Sequence, residues 1–210
     1  MPDEPQHGPA DRGDTLSLVA VTLFTLAYLS VGMFISARQR NWEFVFYIPI
    51  VLLLGGLTLA IRRRARLTLA TLWLLSLWGL LHVVGGTLEV PAGWPVDGDK
   101  RSFYSWEIIP GMLVYDKPVH AFGFGVATWV CWQGLCAVRG SSRITVGSLT
   151  LAALAGMGLG ATNEVIEFAA SQMMDTNVGG YINTGGDLIA NGLGALAAVA
   201  LIAVFSAKRS

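Results

Sequence analysis

The sequence predicts an all-α fold, a polytopic membrane bundle of six transmembrane helices, and three observations carry that expectation. Of 210 residues, 53% are hydrophobic and only 13% charged, about half the charged share of an average soluble domain. Mean hydropathy is +0.57. Six apolar runs also approach or exceed the ~20 helical residues that cross a bilayer's hydrocarbon core. Fourteen Lys and Arg balance fourteen Asp and Glu, so no basic excess is present to neutralise a phosphate backbone, and nucleic acid is not an expected partner.

The runs follow in order. Residues 1–14 read as a disordered tail, since Asp3, Glu4, Asp11 and Asp14 outnumber Arg12 and a cleaved signal peptide would begin with a cationic flank. The membrane domain then covers 15–206, with spans at 15–35, 44–61, 67–86, 118–138, 144–173 and 184–205, and 207–210 form a second tail. The second span contains Pro49, which a bundle tolerates because neighbouring helices re-satisfy the freed backbone groups. A connection over 87–117 holds Trp94, Phe103, Tyr104, Trp106 and Tyr115. Such rings favour the headgroup level, and a connection of this length without regular pattern reads as a lid, a binding loop or an interfacial anchor. Cys131 and Cys136 are five residues apart on one helix and face different ways, so no disulfide joins them.

Orientation follows from cationic loops, which stay on the cytoplasmic side. Arg12, Arg62, Arg63, Arg64, Arg66, Arg139, Arg143, Lys208 and Arg209 fall on one side, and only Arg38, Arg40, Lys100, Arg101 and Lys117 on the other. Both termini are expected in the cytoplasm. Small residues recur at helical spacing in the last three spans: Gly123 and Gly125, then Ala152, Gly156 and Gly160, then Gly194 and Ala198. Rows of this kind let backbones approach closely in lipid, so spans four to six are expected to form the tight core, with spans one to three around it.

Ionisable side chains inside spans are costly, roughly 2.5–3.5 kcal/mol each at the bilayer centre, and therefore call for a reason. His120 opens span four; Asn163, Glu164 and Glu167 come late in span five; Asp187 and Asn191 open span six. At about 1.5 Å per residue these groups reach one depth near the outer boundary, and His82, about 22 Å along span three by the same rise, can join them. Asp116 and His120, Glu164 and Glu167, and Asp187 and Asn191 each share a helix face.

Each also has an ordinary reading. Asp116 ahead of Pro118 suits a helix cap, as does Asp187 within Thr184-Gly-Gly-Asp187. His82 suits packing, and Asn191 suits interhelical hydrogen bonding. Glu164 and Glu167 resist that treatment, because two carboxylates on one apolar face repel each other.

The segments Asp116-Lys117-Pro118-Val119-His120, Asn163-Glu164-Val165-Ile166-Glu167-Phe168 and Thr184-Gly-Gly-Asp187-Leu188-Ile189-Ala190-Asn191-Gly192-Leu193-Gly194-Ala195 resemble the VanZ-like and YjdF-type group of small bacterial membrane proteins, over the last hundred residues or so. The Glu-x-x-Glu pair and the Thr-Gly-Gly-Asp turn look nearer the YjdF type; Asp-Leu-Ile-Ala-Asn looks nearer VanZ. In that pattern Asp116, His120, Glu164, Asp187 and Asn191 occupy the recurring polar places. The resemblance implies a place in the bacterial inner membrane and an envelope role, in the founding case reduced sensitivity to glycopeptide antibiotics of the teicoplanin class.

Three readings of function stay open at this point. In the first, His120, Glu164, Glu167 and Asp187 are catalytic and Asp116, Asn163, Asn191 and His82 bind a lipid-linked or peptidoglycan-related ligand at the outer leaflet. A divalent metal would assist, or acid–base chemistry would proceed without one. In the second, the acids and His120 exchange protons or hold a cationic ligand. In the third, the polar groups cap and knit helices, and the protein docks to another membrane protein.

Overall fold

The computed structural model describes residues 12–99, 101–173, 176 and 180–207, without the side chains of 12 and 207. Six helices are long and apolar enough to cross a membrane: α1 (Arg12–Gln39), α2 (Trp42–Ile61), α3 (Leu69–Thr87), α4 (Asp116–Arg139), α5 (Val146–Ser171) and α6 (Tyr181–Ala207). Helix α1 already includes Arg12, Gly13 and Asp14, so the expected tail loses its last three residues to the helix; residues 1–11 and 208–210 lie outside the described residues, as do most of those joining α5 to α6. Helix α6 begins three residues before the expected Thr184.

Local chemistry sets most of the ends. Arg40 takes a left-handed conformation (φ 56°) that stops α1, and Asn41 starts α2 by accepting from the Phe44 N–H at 3.2 Å. The Asn41 amide also donates to the Gly86 carbonyl at 3.0 Å, which fastens the start of α2 to the end of α3. Thr68 caps α3, and Thr145 with Ser148 forms a reciprocal capping box at α5, satisfying donors that the first turn leaves open. Gly140, at φ 62°, closes α4 in the left-handed conformation that costs glycine little.

Packing divides the bundle as the small-residue rows predict. Ala152 is 1% exposed between α4 and α6, beside Trp132 and Ile202. Where α4 and α6 cross, a Cβ on Gly125 would sit 3.1 Å from the Gly194 carbonyl oxygen, and one on Gly194 would collide with the Ala121 carbonyl. Contact this close replaces the apolar drive that lipid cannot supply. Helices α1 and α3 meet through Val21 and Leu72, with Leu67 ahead of α3, and through a Thr25–Ser76 hydroxyl contact of 2.7 Å. Helix α2 is held at one end only: Glu43, Phe44 and Ile48 are its buried residues, whereas Leu53, Leu54 and Leu57 are more than half exposed.

The 88–115 connection is more ordered than its composition suggests. It contains a 3₁₀ turn at Phe103–Ser105 and an antiparallel hairpin of β1 (Glu107–Ile109) and β2 (Leu113–Val114) with an irregular register. Trp94 packs tilted against Trp106 at 4.9 Å between ring centroids, and Phe103 meets both Trp106 and Tyr115 at 5.3 Å. The rings therefore pack on one another, and Tyr104 descends onto Gly85. Cys131 and Cys136 are free and half-buried.

Candidate functional site

The site lies at the end of the bundle where α4 and α6 begin and α3 and α5 finish. Tyr115 precedes α4 and is anchored by its hydroxyl, which donates to the Leu81 carbonyl at 3.1 Å. Asp116 is the first helical residue rather than the cap; one oxygen faces Lys117 Nζ at 3.2 Å and the other faces His120 Nε2 at 3.4 Å. One turn in, His120 is 2% exposed. The capping reading of Asp116 thus gives way to an ion-pair role.

Asp187 departs from the capping reading for a related reason. Because α6 starts at Tyr181, Asp187 stands in its second turn, fully buried. Lys117 Nζ donates to Asp187 Oδ1 at 2.7 Å and to Asn183 Oδ1 at 2.8 Å, and the Asn183 amide donates to Asp187 Oδ2 at 2.7 Å. These charge-assisted partners offset part of the cost of burying the carboxylate. One cation, two aspartates and an asparagine therefore join α4 to α6.

On the other side of the imidazole the surroundings change. His120 Nδ1 faces Asn191 Oδ1 at 3.1 Å and Glu164 Oε1 at 3.6 Å. Glu164 is 5% exposed, and among the described residues neither of its oxygens has a hydrogen-bond partner, nor does Asn191 Nδ2. Glu167, one turn on, accepts from the Asn163 amide at 2.6 Å. The two acids separate in role: Glu164 points inward, while Glu167 and Asn163 line a cavity.

That cavity measures about 980 Å³. His82, Tyr104, Asp116, Lys117, His120 and Glu167 contribute to its polar end; Leu26, Val51, Leu52, Leu54 and Leu59 line its apolar flank between α1 and α2. Leu54 is 55% exposed and Leu26 45%, so the flank opens toward the bilayer side of the bundle. His82 Nδ1 is hydrogen-bonded to the Tyr104 hydroxyl, and its ring centroid is 6.1 Å from that of His120. Burial, reinforced by nearby acids, pushes the Tyr104 hydroxyl well above the usual tyrosine range, so it stays protonated and available as a donor.

All eight side chains singled out in the sequence fall in this region. His120 contacts Asp116, Glu164, Asp187 and Asn191; Asn163 pairs with Glu167; His82 is joined through the ring contact. Two groups of three lie close enough to share an ion, Asp116–His120–Asp187 and His120–Glu164–Glu167. Sequence reasoning missed Lys117, Asn183 and Tyr104. Asn183 is detectable in retrospect because it stands four residues before Asp187, on the same face. Lys117 sits within the quoted motif, but its direction depends on where α6 begins. Tyr104 gives no local signal, since its place follows from how the connection docks.

Six membrane-length helices with polar side chains gathered inside one end define an integral membrane protein with a buried polar cluster. The chain belongs to the family described as Predicted membrane protein (DUF2238), whose model matches residues 18–208. No curated protein and no solved structure matches it.

Proposed function

We propose that this chain is an envelope protein of the bacterial inner membrane, of the VanZ-like or YjdF type, with both termini cytoplasmic and the site facing outward. There it binds a lipid-linked or peptidoglycan-related ligand. The observation that carries the reading is the two-sided character of the 980 Å³ cavity: carboxylates, an imidazole and an ammonium at one end, leucines and valines along the other. An amphipathic molecule matches both halves, its chain along α2 and its polar head against Glu167, His120 and Lys117. Apolar burial there supplies affinity while the few polar groups fix orientation. A head so placed has a carboxylate and an imidazole within reach, the pair that acid–base chemistry needs. The Lys117–Asp187–Asn183 network supports the structural reading for its own half of the cluster, since its partners are already satisfied.

Gly56 offers the test. It lines the cavity, and a Cβ built there meets nothing within 4 Å, so a leucine at that position projects into open space. Replacing a mid-helix glycine also favours the helix by up to about 1 kcal/mol. Gly56→Leu is expected to keep or raise thermal stability while lowering, roughly tenfold, the occupancy by a polyprenyl-linked amino sugar measured by native mass spectrometry. Wild-type protein that retains no such lipid, or a variant with unchanged occupancy, overturns the reading.

A further inference from the structure

We propose that His120 Nδ1, Asn191 Oδ1 and the carboxylates of Glu164 and Glu167 bind a divalent cation of the Mg²⁺ or Mn²⁺ class. His120 belongs to two clusters, and Lys117 sorts them. The Asp116–Asp187 side already holds an ammonium, 2.7 Å from Asp187 and 3.2 Å from Asp116. The Glu164–Glu167 side has no Lys or Arg in an ion pair among the described residues. There the Glu164 carboxylate is nineteen-twentieths buried with both oxygens unbonded, and Asn191, at 1% exposure, leaves its amide nitrogen unbonded too. Buried polar atoms are nearly always hydrogen-bonded, and the His120 imidazole, 3.6 Å away, is the ion-pair partner that Glu164 has among the described residues, at a depth where burying a carboxylate is costly.

The geometry suits an ion. Nδ1 lies 3.1 Å from Asn191 Oδ1 and 3.6 Å from Glu164 Oε1, and His120, Glu164 and Glu167 each bring a donor atom within 4.8 Å of the other two. Adjacent ligands on an octahedral ion with bonds near 2.1 Å stand ~3 Å apart and opposite ones ~4.2 Å. The remaining ring nitrogen, Nε2, faces Asp116 at 3.4 Å, and an imidazole whose N–H is directed at a carboxylate presents its other nitrogen as the ligand. Glu167 is oriented in the same fashion by the Asn163 amide. Three oxygen-bearing side chains and a single nitrogen favour Mg²⁺ or Mn²⁺ over Zn²⁺.

The site deepens the lipid reading and in this one respect rests on it. Among the described residues the polar end of the cavity is rich in acids, with Glu43, Asp97, Asp99, Asp116 and Glu167 beside Lys117. A phosphate-linked head would be repelled there unless a cation stood between. Glu167 lines the cavity, so an ion that it holds presents its open coordination positions to the ligand.

The experiment uses the purified full-length protein and Mn²⁺ alone, without added lipid. Equilibrium dialysis with metal analysis, together with the Mn²⁺ paramagnetic resonance signal, is expected to show one bound ion per chain and a rise in melting temperature with Mn²⁺. Glu164→Gln and Glu167→Gln should each lower that affinity at least roughly tenfold and abolish the thermal shift, whereas Asp14→Asn, at the opposite end of α1, should leave both unchanged. Glu167 is half-buried on the cavity wall, so its variant serves if Glu164→Gln does not fold. Absence of bound Mn²⁺ at millimolar free metal, or binding that survives Glu167→Gln, overturns the proposal. Lipid occupancy that persists without Mn²⁺ binding sinks the metal site alone; Mn²⁺ binding without lipid occupancy sinks the lipid reading alone.

Discussion

Lys117 Nζ lies 2.7 Å from an oxygen of Asp187, and that aspartate has no exposed surface. Removing the ammonium strands a charge, which costs about 3–5 kcal/mol where the partner cannot reach water. Lys117→Met is therefore expected to lower stability by about that amount, and adding Asp187→Asn should restore part of it, because Asn183 can still bond a neutral amide. Unfolding in detergent across the double-mutant cycle checks this; strictly additive losses would show that the pair is not coupled. The same residues mark how far the sequence could be read. His120, Glu164 and Glu167 were legible because ionisable groups at helical spacing inside apolar runs need a reason. Asp187 was partly misread as a cap because the α6 boundary depends on Tyr181, Ile182 and Asn183 being helical, and Thr184-Gly-Gly-Asp187 is an equally good starting signal on local grounds.

Among the elements, α4 and α6 come closest together. A Cβ on Gly194 would strike the Ala121 backbone carbonyl, which cannot swing away, whereas one on Gly192 would meet only the flexible end of Met157 at 3.6 Å. Gly194→Ala is expected to push the two helices apart and lose about 1–3 kcal/mol. Gly192→Ala should be neutral or gain up to about 1 kcal/mol. Monodisperse yield and melting temperature in detergent separate the two; equal behaviour would mean that the crossing is looser than drawn. The small-residue rows in the sequence disclosed which helices approach, but not that Gly194 meets Ala121, since the pairing depends on the depth at which the helices cross. The 88–115 connection was the least readable element. Its short strands pair with an irregular register, and its order comes from long-range docking of Tyr104 on Gly85 and from ring-on-ring packing, neither of which leaves a periodic trace.

For the molecule as a whole, the arrangement of the helices makes orientation testable at two exposed positions. Ala92 lies between α3 and α4, and Ser141 follows α4, with the length of that 24-residue helix, about 36 Å, between them. In a background lacking Cys131 and Cys136, a membrane-impermeant maleimide on intact cells should label Ala92→Cys and spare Ser141→Cys until the cells are opened. The reverse pattern would place the site in the cytoplasm. The gross plan of six helices was legible because bilayer thickness dictates element length. The shape of the space between them was not, because it arises from α2 being fastened through Asn41, Phe44 and Ile48 while its later residues stand away. That one-ended attachment has a kinetic consequence. For a lipid-anchored ligand of the kind proposed, the opening beside Leu54, 55% exposed, would be reached by sideways diffusion, at a rate set by areal density in the leaflet rather than by solubility.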